Sequence, residues 1–148
     1  MEFHVAILIV LFGSLLLYRL LGAMGLSLFG TWMESGRFAL ATMFVFTGVA
    51  HFGRERKDLI AMVPPALPRA DLMVSVTGLL EFAGAIGLLL PGVRLWAAWG
   101  LILLLLAMFP ANVSAARRGV GIRGRPHTPL WLRAPMQILF VAGIWWVR

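Results

Sequence analysis

The sequence predicts an all-α fold, a polytopic bundle of membrane-spanning helices, and three observations predict it. Five apolar runs follow one another along 148 residues, each near the length that crosses a hydrocarbon core of about 30 Å. Hydrophobic residues make up 61% of the chain and charged ones 13%, with a mean hydropathy of +0.92. Six acids and thirteen bases are too few to cover a water-facing surface, which sets this chain apart from a soluble domain. Most charges also sit between the apolar runs, and the one acid inside a run is Glu81, in the third.

The same composition narrows the chemistry. Cysteine is absent, which rules out disulfides, thiolate nucleophiles and Cys-based metal or iron–sulfur sites within the chain. The three His show no ligand spacing, so no metal site is expected. The net charge of +7 comes from clustered loop arginines. In a chain this apolar, such clusters point to membrane orientation and contact with lipid head groups, and not to nucleic acid.

The first span covers residues 3–21. Its start, Met1-Glu2-Phe3-His4, has no basic residue, and no A-x-A site follows the run. It is therefore expected to stay as a span and not to be cleaved as a signal peptide. A Gly-rich link over 22–36, containing Trp32 and Glu34, is expected to lie in the interface. The second span covers 37–52. After the charged loop Arg54-Glu55-Arg56-Lys57-Asp58 comes an apolar piece, 59–68, in which Pro64, Pro65 and Pro68 forbid a long helix. It is too short to span and is expected to fold back against the bundle, where protein can cover its backbone. The third span is 72–90, the turn Pro91-Gly92 follows, and the fourth span is 94–112. A polar Gly/Arg-rich loop over 114–128 leads to the last span, 130–147. One membrane domain with five spans accounts for the whole chain.

Basic residues orient it. The loops at 53–70 and 113–129 hold Arg54, Arg56, Lys57, Arg69, Arg117, Arg118, Arg123 and Arg125. The opposite side has Arg19, Arg37, Arg94 and Arg148. The positive-inside bias predicts an inner (cytoplasmic) membrane protein with its N-terminus cytoplasmic and its C-terminus external. Trp32, Trp96, Trp99, Trp145 and Trp146 fall toward the external side, where an aromatic belt is expected.

Glu81 lies nine residues into its span, near mid-depth at 1.5 Å per residue. Thr77, Gly78, Gly84 and Ala85 share its face at helical spacing, and such small residues let a neighbouring helix approach closely. A charge at this depth costs about 2.5–3.5 kcal/mol on insertion scales. Glu81 is therefore either neutral or paired with a cation, for which His51 and Arg133 are the candidates. His51, with Thr47 on its face, stands at the cytoplasmic end of the second span. Asn112 closes the fourth span on that side, and Arg133 and Gln137 enter the last span from it. If these faces converge, Thr47, His51, Glu81, Asn112, Arg133 and Gln137 line a cavity open to the cytoplasm. Each also has a plainer reading: His51 and Asn112 meet head groups, Arg133 snorkels, and Gln137 holds two helices together.

Several ordered segments carry a family likeness. Thr47-Gly48-Val49-Ala50-His51-Phe52, Met62-Val63-Pro64 with Leu67-Pro68, Gly78-x-x-Glu81 with Gly87-Leu88-Leu89-Leu90-Pro91, Phe109-Pro110-Ala111-Asn112, and Arg133-x-Pro135-x-Gln137 together resemble the DoxX-like family of small bacterial membrane proteins. The resemblance covers about residues 37–147. It implies a four-helix core with the first span added, and an association with quinone-linked or other membrane oxidoreductase assemblies. It also implies a layout similar to that of eukaryotic receptor-assembly chaperones. With no cysteine, the chain brings no thiol exchange of its own, and no haem, flavin or quinone motif is readable in it.

Three functions follow as expectations. The first is an accessory or binding protein holding a small lipophilic ligand, such as a quinone, or a partner's helix, in a redox system with another membrane subunit. The second is a structural or assembly factor. The third is an enzyme in which a buried carboxyl beside His51 does acid–base work on a lipophilic substrate, as in an isomerisation, making Glu81 and His51 the catalytic candidates. The bilayer is the expected partner in all three. The small-residue step Ala83/Gly87 suits either a homo-oligomer or packing within one bundle.

Overall fold

The computed structural model describes residues 3–122, 124 and 128–148. Arg123 and Arg125, used above for orientation, lie outside the described residues, as do Met1 and Glu2 of the N-terminal segment. Within the described residues the chain is all helical. It comprises α1 (Phe3–Ala23), α2 (Trp32–Ala50), α3 (Arg56–Met62), α4 (Ala70–Leu89), α5 (Arg94–Arg118) and α6 (Leu130–Val147), with a 3-10 turn at Ser27–Phe29. Four of these, α1, α4, α5 and α6, are long and apolar enough to cross a membrane.

The central helix is α2, which packs against α1, α4 and α6, while α5 bridges α4 and α6. Leu40, Met43 and Phe44 of α2, Leu88 of α4, Leu101 of α5 and Ile144 of α6 meet in one core. The first helix joins this core through Ile7 and Leu11, and Tyr18 Oη lies 2.9 Å from Thr42 Oγ1 on α2. Outside the core, Leu16, Leu20, Leu79, Ile86, Leu103, Leu106 and Ile138 are all more than half exposed. An apolar surface of that extent belongs in contact with lipid or another apolar phase.

Two helices differ by more than two residues from their sequence-based bounds. The second begins at Trp32, not at 37, because Thr31 and Glu34 form a capping box. The Thr31 hydroxyl accepts from the Glu34 amide at 3.1 Å, and Glu34 Oε2 accepts from the Thr31 amide at 2.9 Å. It ends at Ala50, leaving His51 as its C-cap. The fifth does not stop at Asn112 but runs through Pro110 to Arg118, where Gly119 (φ 69°) caps it in the left-handed conformation. Its last turns are covered, because Ala115 is fully buried and packs with Met62 and Ile122 in a small second cluster.

The prolines at 64, 65 and 68 act as expected on the piece after α2. Helix α3 is one short element of seven residues that ends before Pro64 and lies against α4 and α5. Arg118 fastens it, with Nη2 donating to the carbonyls of Ala61 at 2.8 Å, Met62 at 2.9 Å and Val63 at 3.1 Å. These are the carbonyls that a helix end leaves without partners.

Glycines decide how closely the helices approach. In lipid, apolar burial supplies little drive between helices, so shape complementarity carries more of the association. A Cβ built on Gly48 would sit 2.8 Å from Phe82 Cε1, and one on Gly78 would sit 2.6 Å from His51 Cβ. These two positions close the α2–α4 contact. On the other side of α4, a Cβ on Gly84 would fall onto the Leu101 side chain, and one on Gly87 would lie 2.5 Å from Ala97 Cβ. The face bearing Gly87 is thus used inside the bundle, against α5.

Candidate functional site

The α2–α4 contact builds the first half of the site. Because Gly78 has no side chain, the His51 backbone settles directly over α4. One turn along α4, Glu81 is buried, 3% exposed. Its Oε2 lies 2.7 Å from Thr47 Oγ1 and 3.8 Å from His51 Nδ1. Nδ1 also lies 2.9 Å from the Thr47 carbonyl. A carbonyl only accepts, so Nδ1 carries the proton and donates to it, and Nε2 is left for another partner. Of the two cations offered to Glu81 by the sequence, His51 is the one beside it.

The second half comes from α5 and α6. Arg133 is buried, 4% exposed, and does not snorkel. Its Nη1 donates to Asn112 Oδ1 at 2.8 Å and its Nε to the Thr128 carbonyl at 3.1 Å. Among the described residues no acid pairs with it, and Nη2 has no hydrogen-bond partner. Asn112 reaches it from within α5, not from a helix end. One turn deeper, Gln137 Nε2 donates to the Leu105 carbonyl. Pro110 removes the helical donor for the neighbouring Leu106 carbonyl, so the α5 ladder is already interrupted where Gln137 joins it.

Between the two halves lies a cavity of about 270 Å³, lined from all six helices. All six residues singled out in the sequence border it: Thr47, His51, Glu81, Asn112, Arg133 and Gln137. The remaining wall is mostly apolar, including Met43 and Phe44 of α2, Met108 of α5, and Met136 and Phe140 of α6. Met62, Val63 and Pro64, at the end of α3, border it as well.

Two polar members were missed. Thr77 of α4, named above only for sharing the face of Glu81, lines the cavity. His4 of α1 lines the cavity, and its Nδ1 lies 2.7 Å from Thr128 Oγ1, the residue whose carbonyl holds Arg133. In the sequence His4 served only to argue against a signal peptide and was not connected with the polar residues of the other helices. Among the described residues no cluster of His and acids is fit to hold a metal ion.

This arrangement can hold a molecule that is apolar over most of its surface and polar at a few points. It has a carboxyl, a hydroxyl and an imidazole on the α2–α4 side, and a guanidinium with two amide side chains on the α5–α6 side. Residues 40–148 match the model of a family described as a domain of unknown function, DUF8561. No curated protein and no solved structure matches the chain.

Proposed function

The chain belongs to the DUF8561 family, and we propose that it is an integral membrane binding protein holding a small lipophilic ligand around Glu81 and Arg133. The cavity carries this reading. It has apolar walls with a few convergent polar groups, the usual make-up of a small-molecule site, and its volume of about 270 Å³ suits a compact ligand. A ring with an oxygen at each end, as in a quinone, would meet both polar halves. Kinship with DoxX-like proteins, and service as the accessory subunit of a membrane redox system, are part of the same proposal.

The proposed topology has five crossings. Helix α2 makes the fifth, because its less apolar surface is covered by α1, α4 and α6 and need not meet lipid. Arg19, whose guanidinium lies over Trp32, Arg37, bonded to the Val147 carbonyl, and the Trp99–Trp145 pair gather at one end of the bundle. That end is proposed as external, and the α3 end as cytoplasmic. A single cysteine placed at Gly121 is expected to react with an impermeant reagent only after the membrane is opened. Labelling from outside intact cells would reverse the orientation.

The extract of the purified protein tests the binding reading. Mass spectrometry is expected to find one lipophilic species retained far above its share of the membrane. Bulk lipids alone, in membrane proportions, would favour a second reading, that of a structural or assembly factor. Gln137 supports that reading, because its amide already has an interhelical partner in Leu105.

A further inference from the structure

We infer that the ligand is an acidic amphiphile, with its anionic head at Arg133 and its apolar chain directed toward the gap between α4 and α5. The inference rests on the cavity being a ligand site and adds the sign of the ligand's charge. Arg133 is a buried cation whose identified partners, Asn112 Oδ1 and the Thr128 carbonyl, are both neutral. Among the described residues no acid neutralises it. Glu81, the acid that borders the cavity, lies beside Thr47 and His51 and not beside Arg133.

A buried charge normally comes with a counter-charge, because leaving it alone is costly. Here the position adds to the cost. Arg133 stands in the first turn of α6, where no acidic residue is present and the helix presents its own partial positive charge. A hydrogen-bond donor, Nη2, is also left over. A buried guanidinium without a counter-charge, bordering the cavity at the positive end of a helix, suits a carboxylate or a phosphate oxygen.

The opening of the cavity argues for a chain on that anion. Lining residues Leu67 and Met73 are 42% and 39% exposed, and Ala107 and Pro110 on α5 are exposed as well. Ala107 lies about 20 Å along α5 from its start at 1.5 Å per residue, within the thickness of the hydrocarbon. The cavity therefore reaches the surface where an acyl chain lies, beside a cation that can hold the head.

The full-length protein in phosphatidylcholine nanodiscs tests this, with thermal shift and native mass spectrometry as readouts. The probes are decanoate, decyl phosphate, methyl decanoate, acetate and inorganic phosphate. Decanoate or decyl phosphate is expected to bind at least about tenfold more tightly than methyl decanoate, the difference made by a charged hydrogen bond. Acetate and inorganic phosphate are expected to bind far more weakly than the chain-bearing acids. Asn112→Asp would place a carboxylate at the acceptor 2.8 Å from Nη1. That variant is expected to melt higher than the parent and to lose the acidic probes, a pair of opposite changes that misfolding does not produce.

Equal binding of ester and acid, or an Asn112→Asp protein that still takes decanoate, overturns the anionic assignment. Free phosphate or acetate binding as well as the chain-bearing acids overturns the amphiphile. If no acid binds and the purified protein retains a neutral lipophile such as a quinone, this inference falls and the binding cavity stands. If nothing binds and nothing is retained, both fall.

Discussion

Replacing Glu81 with glutamine will leave the bundle folded and empty its cavity. The amide is the same size as the carboxyl, and its oxygen can take the Thr47 hydroxyl that now lies 2.7 Å away. The change in stability is therefore expected to stay within about 1 kcal/mol, the net value of one ordinary hydrogen bond. What disappears is the acid. Retention of the native ligand is expected to fall about tenfold or more, because a polar group that binds through its proton or its charge has no equivalent in an amide. His51→Ala is the companion experiment, since it keeps the Cβ that packs over Gly78 and removes only the ring. Ligand retention unchanged in both variants would mean that the α2–α4 side takes no part in binding.

A large loss of stability is expected at Gly78→Ala. The added methyl would lie 2.6 Å from His51 Cβ and 2.8 Å from Phe52 Cε2. The first of these atoms is attached directly to the backbone and can yield only if the helix moves. Overpacking of this kind costs about 1–3 kcal/mol, and the separation of α2 from α4 also carries His51 away from Glu81. A lowered melting temperature and weaker ligand retention are thus expected together. Gly100→Ala is the control, because nothing lies within 4 Å of its added Cβ. In that exposed helical position alanine is expected to be neutral or stabilising by about 0.5–1 kcal/mol. Equal losses in the two variants would show that the effect is not one of helix contact.

The close approach at Glu81 was legible in the sequence, because small residues at i−3, i+3 and i+4 can mean little else in an apolar helix. The limits of α2 and α5 were also written there, in signals that other features obscured. Thr31-x-x-Glu34 is a capping box, but it lies in a segment whose glycines read as a link. At the other end of the bundle, Asn112 and the polar loop after it suggested the close of α5, although Gly119 is the residue suited to the left-handed cap. The partner of Arg133 was not legible. Spacing places a residue on its own helix and says nothing of the rotation of that helix against its neighbours. Only packing turns α6 so that Arg133 meets Asn112 and leaves Glu81 to His51. His4 was hidden for a related reason, since its bond is to Thr128, remote in the chain.

The glycine contacts between α4 and α5 have a mechanical consequence. Gly84 against Leu101 and Gly87 against Ala97 hold the two helices in contact at one end, while at the other α3 is wedged between them and tied by Arg118. The pair is built like tweezers, with a pivot that cannot give and tips that can. Any change in the size of the chamber must be taken up at the tips. Its capacity thus depends on how firmly seven residues are gripped by one arginine, at the carbonyls of Met62 and Val63, which themselves border the chamber.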